Sequence, residues 1–213
     1  MEPVDYSRRF FIHIPKTGGT SVKATLNSTN VCAYQRTLRV VGHPNAEQIR
    51  AFLCPRIDMF DGFFTVVRNP WDWRHSWYWF LRTCPPGDSG LAMEEAACRQ
   101  LSFVDHLLWL SELAASGRST VSQYTGSGSR LFLQRQGLYI AGLPVDICRF
   151  ERLEVELETR FGVTGVLYLV KSNNLDYRES YDDKGREIVA DLFAEDIAEF
   201  GYSFDGTSRE RPL

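Results

Sequence analysis

Lys16 stands between Pro15 and the run Thr17-Gly18-Gly19-Thr20-Ser21, directly after an apolar stretch that ends at Ile14. Adjacent glycines let a backbone turn closely around an anion. The amides of Gly19, Thr20 and Ser21 would face outward at a helix start, and the Lys16 ammonium adds a full charge. A phosphate or sulfate group fits such a loop. The order of residues departs from a Walker loop, in which four residues separate a glycine from a Gly-Lys pair, because here the lysine precedes both glycines. The segment also lacks the Gly-x-Gly-x-x-Gly spacing of dinucleotide binders, so ordinary ATPase and NAD chemistry lose ground.

The second chemical segment is Arg68-Asn69-Pro70-Trp71-Asp72-Trp73-Arg74-His75-Ser76. Arg68 closes a buried-type strand, where a guanidinium is costly unless it meets an anion or a carboxylate. Ser76, two helical turns on, can point back toward the same helix start. An Arg and a Ser so placed suit a terminal phosphate, and charge-assisted hydrogen bonds of about 1.5–3 kcal/mol each could decide specificity for an extra phosphate group. A pairing of Arg68 with Asp72 or another acid is the alternative. The cluster Trp71, Trp73, Trp77, Tyr78 and Trp79 reads mainly as core, with positions 73, 77 and 80 on one helical stripe. One or two of these rings could form a platform for adenine or a sugar.

Four histidines could move a proton: His13, His43, His75 and His106. His13 lies in the first strand and reads as structural, and His106 sits in an apolar helical run beside Leu107 and Leu108. His75 would point about 100° away from Ser76 on a shared helix. His43 follows a short β-type run and precedes Pro44, and an imidazole near neutrality can take a proton from a hydroxyl.

These residues need elements to hold them. Phe10–Ile14 and Phe63–Val67 read as buried strands, each followed by a tight loop and a helix, to about Leu26 in the first case and from Trp71 to Leu81 in the second. Pro55 closes a helix at 46–53. Residues 82–90 form a loop, and helices follow at 92–99 and 102–115, the latter capped by Ser102. The Gly-, Ser- and Thr-rich stretch 116–130 reads as a loop able to close over an acceptor. Val145–Phe150 is a third strand, 151–160 a charged helix, 166–170 a fourth strand, and Lys184–Phe200 a last helix stopped by Gly201. The alternation predicts one α/β domain over residues 1–213, with a mainly parallel sheet whose ligands sit at the carboxyl ends of the strands.

Composition sets the outer limits. The 213 residues are 44% apolar and 24% charged, the balance of a single soluble globular domain, and the net charge of -3 gives no global positive field for a nucleic-acid backbone. The five cysteines have no Cys-x-x-Cys or zinc-ribbon spacing and read as reduced thiols of a cytoplasmic protein. The apolar run near the N-terminus is too short for a signal segment or a membrane span.

The two motifs together resemble the sulfotransferases that use 3′-phosphoadenosine 5′-phosphosulfate (PAPS), in particular the carbohydrate and heparan 2-O-type branch with its bacterial relatives. His13-Ile-Pro-Lys-Thr-Gly-Gly-Thr-Ser21 is similar to that family's 5′-phosphosulfate loop, and Val66-Val-Arg-Asn-Pro-Trp-Asp72 through Ser76 and Tyr78 to its 3′-phosphate element. Arg149–Leu153, Tyr177–Tyr181 and Asp196–Phe204 resemble its later elements. One position departs: where the family has an arginine directly after the acid of the second motif, this chain has Trp73, and Arg74 one place later faces another side of the helix.

The resemblance implies a P-loop-like three-layer fold and sulfuryl transfer to a hydroxyl of a carbohydrate, glycolipid or small metabolite, with PAPS as co-substrate and no metal. It implies Lys16 on the leaving side, His43 as base, and Lys16, Thr17, Gly18, Gly19, Thr20, Ser21, Arg68 and Ser76 as nucleotide contacts. Arg149 and Tyr181 could help hold the nucleotide or simply close the fold. Neither a nucleic-acid partner nor a membrane span is expected. A nucleotide-dependent kinase of related architecture and a non-catalytic nucleotide-binding scaffold are the competing readings.

Overall fold

Strand β1 (Arg9–Ile12), strand β2 (Gly62–Val67) and strand β3 (Val145–Arg149) form a three-stranded sheet in the order β1-β2-β3 in the computed structural model. The model describes residues 6–27, 43–54, 56–89, 91–116, 134–166 and 176–207. Both pairings are parallel, with Ile12 opposite Thr65 and Val67 opposite Arg149. The loops that leave the three strands therefore share one edge of the sheet. Near-continuous apolar runs such as Phe63-Phe-Thr-Val-Val67 suit strands covered on both faces, and every residue of β2 after Gly62 is buried.

The described residues gather into two compact units, Met1–Arg68 with Gln136–Lys171 and Asn69–Arg135 with Ser172–Leu213. In the first, helix α1 (Gly19–Asn27), helix α2 (Ala46–Leu53) and helix α6 (Leu153–Phe161) accompany the sheet. Val22 and Leu26 of α1 and Leu153, Leu157 and Phe161 of α6 join Phe11, Phe64, Val66 and Cys148 in one core. These residues recur at helical spacing on α6, while Glu154 and Glu158 face water, as the charge alternation of that segment predicts. On α2, Asn45 and Gln48 exchange reciprocal hydrogen bonds as a capping box.

The second unit holds helices α3 (Pro70–Thr83), α4 (Ala92–Gln100), α5 (Phe103–Ala115), α7 (Asp183–Leu192) and α8 (Ala194–Phe200), with a short antiparallel pair, β4 (Tyr202–Ser203) and β5 (Gly206–Thr207). Asn69 caps α3 by accepting from the Trp71 N–H, and Pro70 opens the helix where its missing N–H costs nothing. Ser102 caps α5 through the Asp105 N–H. Helix α3 packs along α4 and α7, and α5 along α7.

The strands and most helices fall where the sequence places them, so a mixed α/β fold with a small parallel sheet flanked by helices is established. Three local differences have physical reasons. The last helix is not continuous: the chain leaves helical geometry at Phe193 (φ -121°, ψ 26°), whose fully buried ring stands edge-on to Trp73 at 5.7 Å. Gly201, at φ +65°, does end the second part. The charged helix begins with a 3-10 turn at Phe150–Arg152 before α6, and the β4–β5 pair has too few residues to leave a periodic signal. The fourth expected strand after Val166, the loop at 117–130, Cys32 and the run before His43 lie outside the described residues.

Candidate active site

The chain leaves β1 through His13 and Ile14, turns at residues 15–18 and enters α1 at Gly19. Lys16 has φ +63°, a left-handed conformation that costs a residue bearing a Cβ about 1–2 kcal/mol. Gly18, at φ +79°, needs glycine for the same reason, and a Cβ there would also meet the Phe150 ring at 2.9 Å. Thr17 is fully buried, and its hydroxyl donates to the Ile14 carbonyl at 2.8 Å. That side chain thus closes the turn. The Val22 N–H reaches the Gly18 carbonyl, so the amides of Gly19, Thr20 and Ser21 precede the first turn's closure and point beyond the helix start. Thr20 is exposed there and Ser21 buried.

Arg68 follows β2 directly and reaches this loop. Its Nη1 donates to the Lys16 carbonyl at 3.1 Å, and its guanidinium lies 4.2 Å over the Phe150 ring at the end of β3. Such a stack contributes about 1–2 kcal/mol when desolvated. Gln136, fully buried, grips the Arg68 backbone from both sides: its Oε1 accepts from the Arg68 N–H at 2.9 Å and its Nε2 donates to the Arg68 carbonyl at 2.8 Å. Lys16, the α1 start and Arg68 therefore stand together at the carboxyl edge of the sheet. Phe150 and Gln136 support them, and neither advertises that part in sequence, because the link is made only by the fold.

His43 is brought to the same loop. Its Nδ1 lies 2.9 Å from the His13 carbonyl, and the two imidazole rings are 4.2 Å apart, edge to face. A carbonyl only accepts, so His43 carries its proton on Nδ1 and Nε2 is the basic nitrogen. Burial, offset in part by this hydrogen bond, holds the His43 pKa below its ordinary value, with the Lys23 charge acting in the same direction as burial. His13 is pushed down to about 2, first by burial and then by His43 and Lys23. Both rings are neutral at pH 7.

Arg149 ends β3 in the first unit, and the other candidates belong to the second. Ser76 is buried on α3. His75 Nε2 accepts from the Trp79 indole N–H at 2.8 Å and lies 3.0 Å from the Ser180 hydroxyl, which gives this histidine a structural part. Trp71, Trp73, Trp77 and Tyr78 are buried and Trp79 only partly so, which fits the core reading of that cluster. The Tyr181 hydroxyl donates to the Trp71 carbonyl at 2.8 Å among Phe103, Tyr177 and Phe204, and so closes the fold of this unit.

Glu94, Cys98 and His106, all buried, bring ligand atoms within 4.8 Å of one another. Sequence spacing did not reveal this trio, although Glu94 and Cys98 are one helical turn apart on α4 and His106 lies in the first half of α5. The same place holds Arg74, whose Nη2 binds Glu94 Oε1, and His106 Nε2 lies 3.5 Å from that oxygen. Burial pushes the Cys98 thiol up to about 12, so it keeps its proton. The Arg74 guanidinium balances the Glu94 carboxylate. The Arg74–Glu94 ion pair joins α3 to α4, and His106 of α5 stands beside it.

Cys54, Cys84, Cys98 and Cys148 form no disulfide, and no described helix is long and apolar enough to cross a membrane. Comparison with protein-family models, with curated proteins and with solved structures finds no match.

Proposed function

We propose that this chain is a PAPS-dependent sulfotransferase with a P-loop-like three-layer fold, acting on a hydroxyl of a carbohydrate, glycolipid or small metabolite. The observation that carries the reading is the contact between Arg68 and the Lys16 backbone at 3.1 Å. A lysine-bearing anion loop after one strand and an arginine after its parallel neighbour are adjacent, as two phosphate sites for one nucleotide must be. A Walker loop would serve a kinase better, and this turn has its lysine on the wrong side of its glycines.

The chemistry follows from these groups. The loop amides and Lys16 take the 5′-phosphosulfate, and Arg68 takes the 3′-phosphate. His43 Nε2 accepts the proton of the acceptor hydroxyl while the new oxygen–sulfur bond forms. Lys16 neutralises the charge that develops on the 5′-phosphate oxygen as its bond to sulfur breaks. The sulfated acceptor and adenosine 3′,5′-bisphosphate leave.

Calorimetric titration with adenosine 3′,5′-bisphosphate, AMP and ATP tests this reading. The bisphosphate should bind at least tenfold more tightly than either competitor. Preference for ATP would favour a kinase, and binding of none of the three would leave a scaffold.

A further inference from the structure

We infer that His13 is a positioning residue for His43, its main-chain carbonyl fixing which nitrogen is basic and its ring fixing where the base stands. The inference rests on the sulfotransferase reading only in giving His43 a proton to move. The hydrogen bond from His43 Nδ1 to the His13 carbonyl, at 2.9 Å, sets the tautomer. The His13 ring stacks on Phe11 at 5.8 Å and meets His43 edge-on at 4.2 Å. Its Cδ2–Nε2 edge abuts Gly19, where a Cβ would fall 1.9 Å from His13 Cδ2 and 2.1 Å from Nε2.

Gly19 does not adopt a left-handed conformation, so its lack of a side chain is explained by this ring and not by backbone geometry. The imidazole thereby meets both the first residue of α1 and the base. Packing alone does not account for a histidine here: His13 Nδ1 is buried with no hydrogen-bond partner among the described residues, and an apolar side chain would carry no such cost. Among the described residues, Lys23, on the next turn of α1, is the charged group that acts on both rings. Its own pKa is lowered by burial.

The experiment is nitrogen–proton correlation NMR of the histidine side chains in the full chain, with a pH titration, for the wild type and His13→Ala. The wild type should show His43 protonated on Nδ1 and titrating below 6.5, the ordinary value. In His13→Ala the main-chain carbonyl remains, so His43 should stay protonated on Nδ1, while loss of the ring that buries it should shift its resonances and raise its pKa toward that value. Sulfuryl transfer should slow about tenfold to a hundredfold through the displaced base, with the affinity for adenosine 3′,5′-bisphosphate unchanged.

Gly19→Ala supplies a second route that keeps the His13 ring but forces it aside, and it should disturb His43 in the same sense. The double variant should disturb His43 no more than His13→Ala alone. A wild-type His43 protonated on Nε2, an unchanged His43 spectrum in His13→Ala, or additive effects in the double variant would each overturn the assignment. The spectra need no turnover, so an inactive wild type with the expected spectra would count against sulfuryl transfer and leave the positioning standing.

Discussion

Arg68 Nη1 donates a hydrogen bond to the main-chain carbonyl of Lys16 at 3.1 Å, across 52 residues of sequence. Parallel pairing of β1 with β2 makes the contact possible, since both residues then leave the sheet at the same edge. A cation at the end of one strand is thereby tied to the backbone of the loop that follows its neighbour.

Arg68→Ala should weaken adenosine 3′,5′-bisphosphate about 10- to 100-fold while leaving AMP nearly unchanged, the effect of removing a charge-assisted contact to one phosphate. Arg68→Lys should recover only a small part of this. An ammonium cannot lie flat over Phe150 or present a fork of donors. Titration of both nucleotides against each variant gives the comparison.

Lys16 sits on a strained, left-handed backbone. Lys16→Ala and Lys16→Gly should both lower kcat by more than about a hundredfold, because each removes the charge on the leaving side. They should differ in stability. Glycine accepts the left-handed conformation and alanine does not, so Lys16→Gly should be the more stable by about 1 kcal/mol in urea denaturation. Turnover retained in Lys16→Ala would place the leaving-side cation elsewhere.

Stability should fall as the solution is acidified below the ordinary histidine pKa of 6.5. His13, His43 and His106 all have lowered pKa values in the folded chain, chiefly through burial. The unfolded chain therefore binds protons first, and each such histidine removes about 1.4 kcal/mol per pH unit between 6.5 and its folded value. For His13 that window runs down to about 2. Denaturation midpoints measured between pH 8 and pH 5 should be level above 6.5 and drop below it. Replacement of His13 by Ala should flatten the slope. A slope that begins only near the carboxylate range would contradict the neutral, buried state of these rings.

Arg74 and Glu94 form a fully buried ion pair between α3 and α4. Removing one partner strands the other, so Arg74→Met and Glu94→Gln should each cost about 3–5 kcal/mol, whereas the double variant Arg74→Met/Glu94→Leu should recover most of the loss. Urea denaturation of the three variants checks this. Added zinc should not stabilise the wild type, since Arg74 already answers the charge of Glu94; a zinc-dependent rise in the midpoint would make Glu94, Cys98 and His106 a metal site.

Much of this arrangement is legible in sequence where the cause is local. Alternation and apolar runs mark β1, β2 and β3, the Asn69-Pro70 pair marks the start of α3, and Ser102 marks that of α5. The tight turn after β1 and the placement of Arg68 at a strand end follow from the same reading. What escapes it depends on partners distant in the chain. Nothing near Gln136 announces that its amide clamps the Arg68 backbone, and nothing near Gly19 says that its neighbour is the His13 ring. The Glu94, Cys98 and His106 trio is split between two helices, and the break at Phe193 is set by burial against Trp73. Gly18 and Gly19 look alike in sequence, yet one answers to backbone conformation and the other to a side chain.

One nucleotide should span the loop at Lys16 and the guanidinium of Arg68. A crystal structure of the chain soaked with adenosine 3′,5′-bisphosphate shows whether it does. The 5′-phosphate should lie against the amides of Gly19, Thr20 and Ser21 and the 3′-phosphate within about 3 Å of the Arg68 guanidinium. A nucleotide bound away from both, or one that meets the loop while its 3′-phosphate points away from Arg68, would contradict this reading.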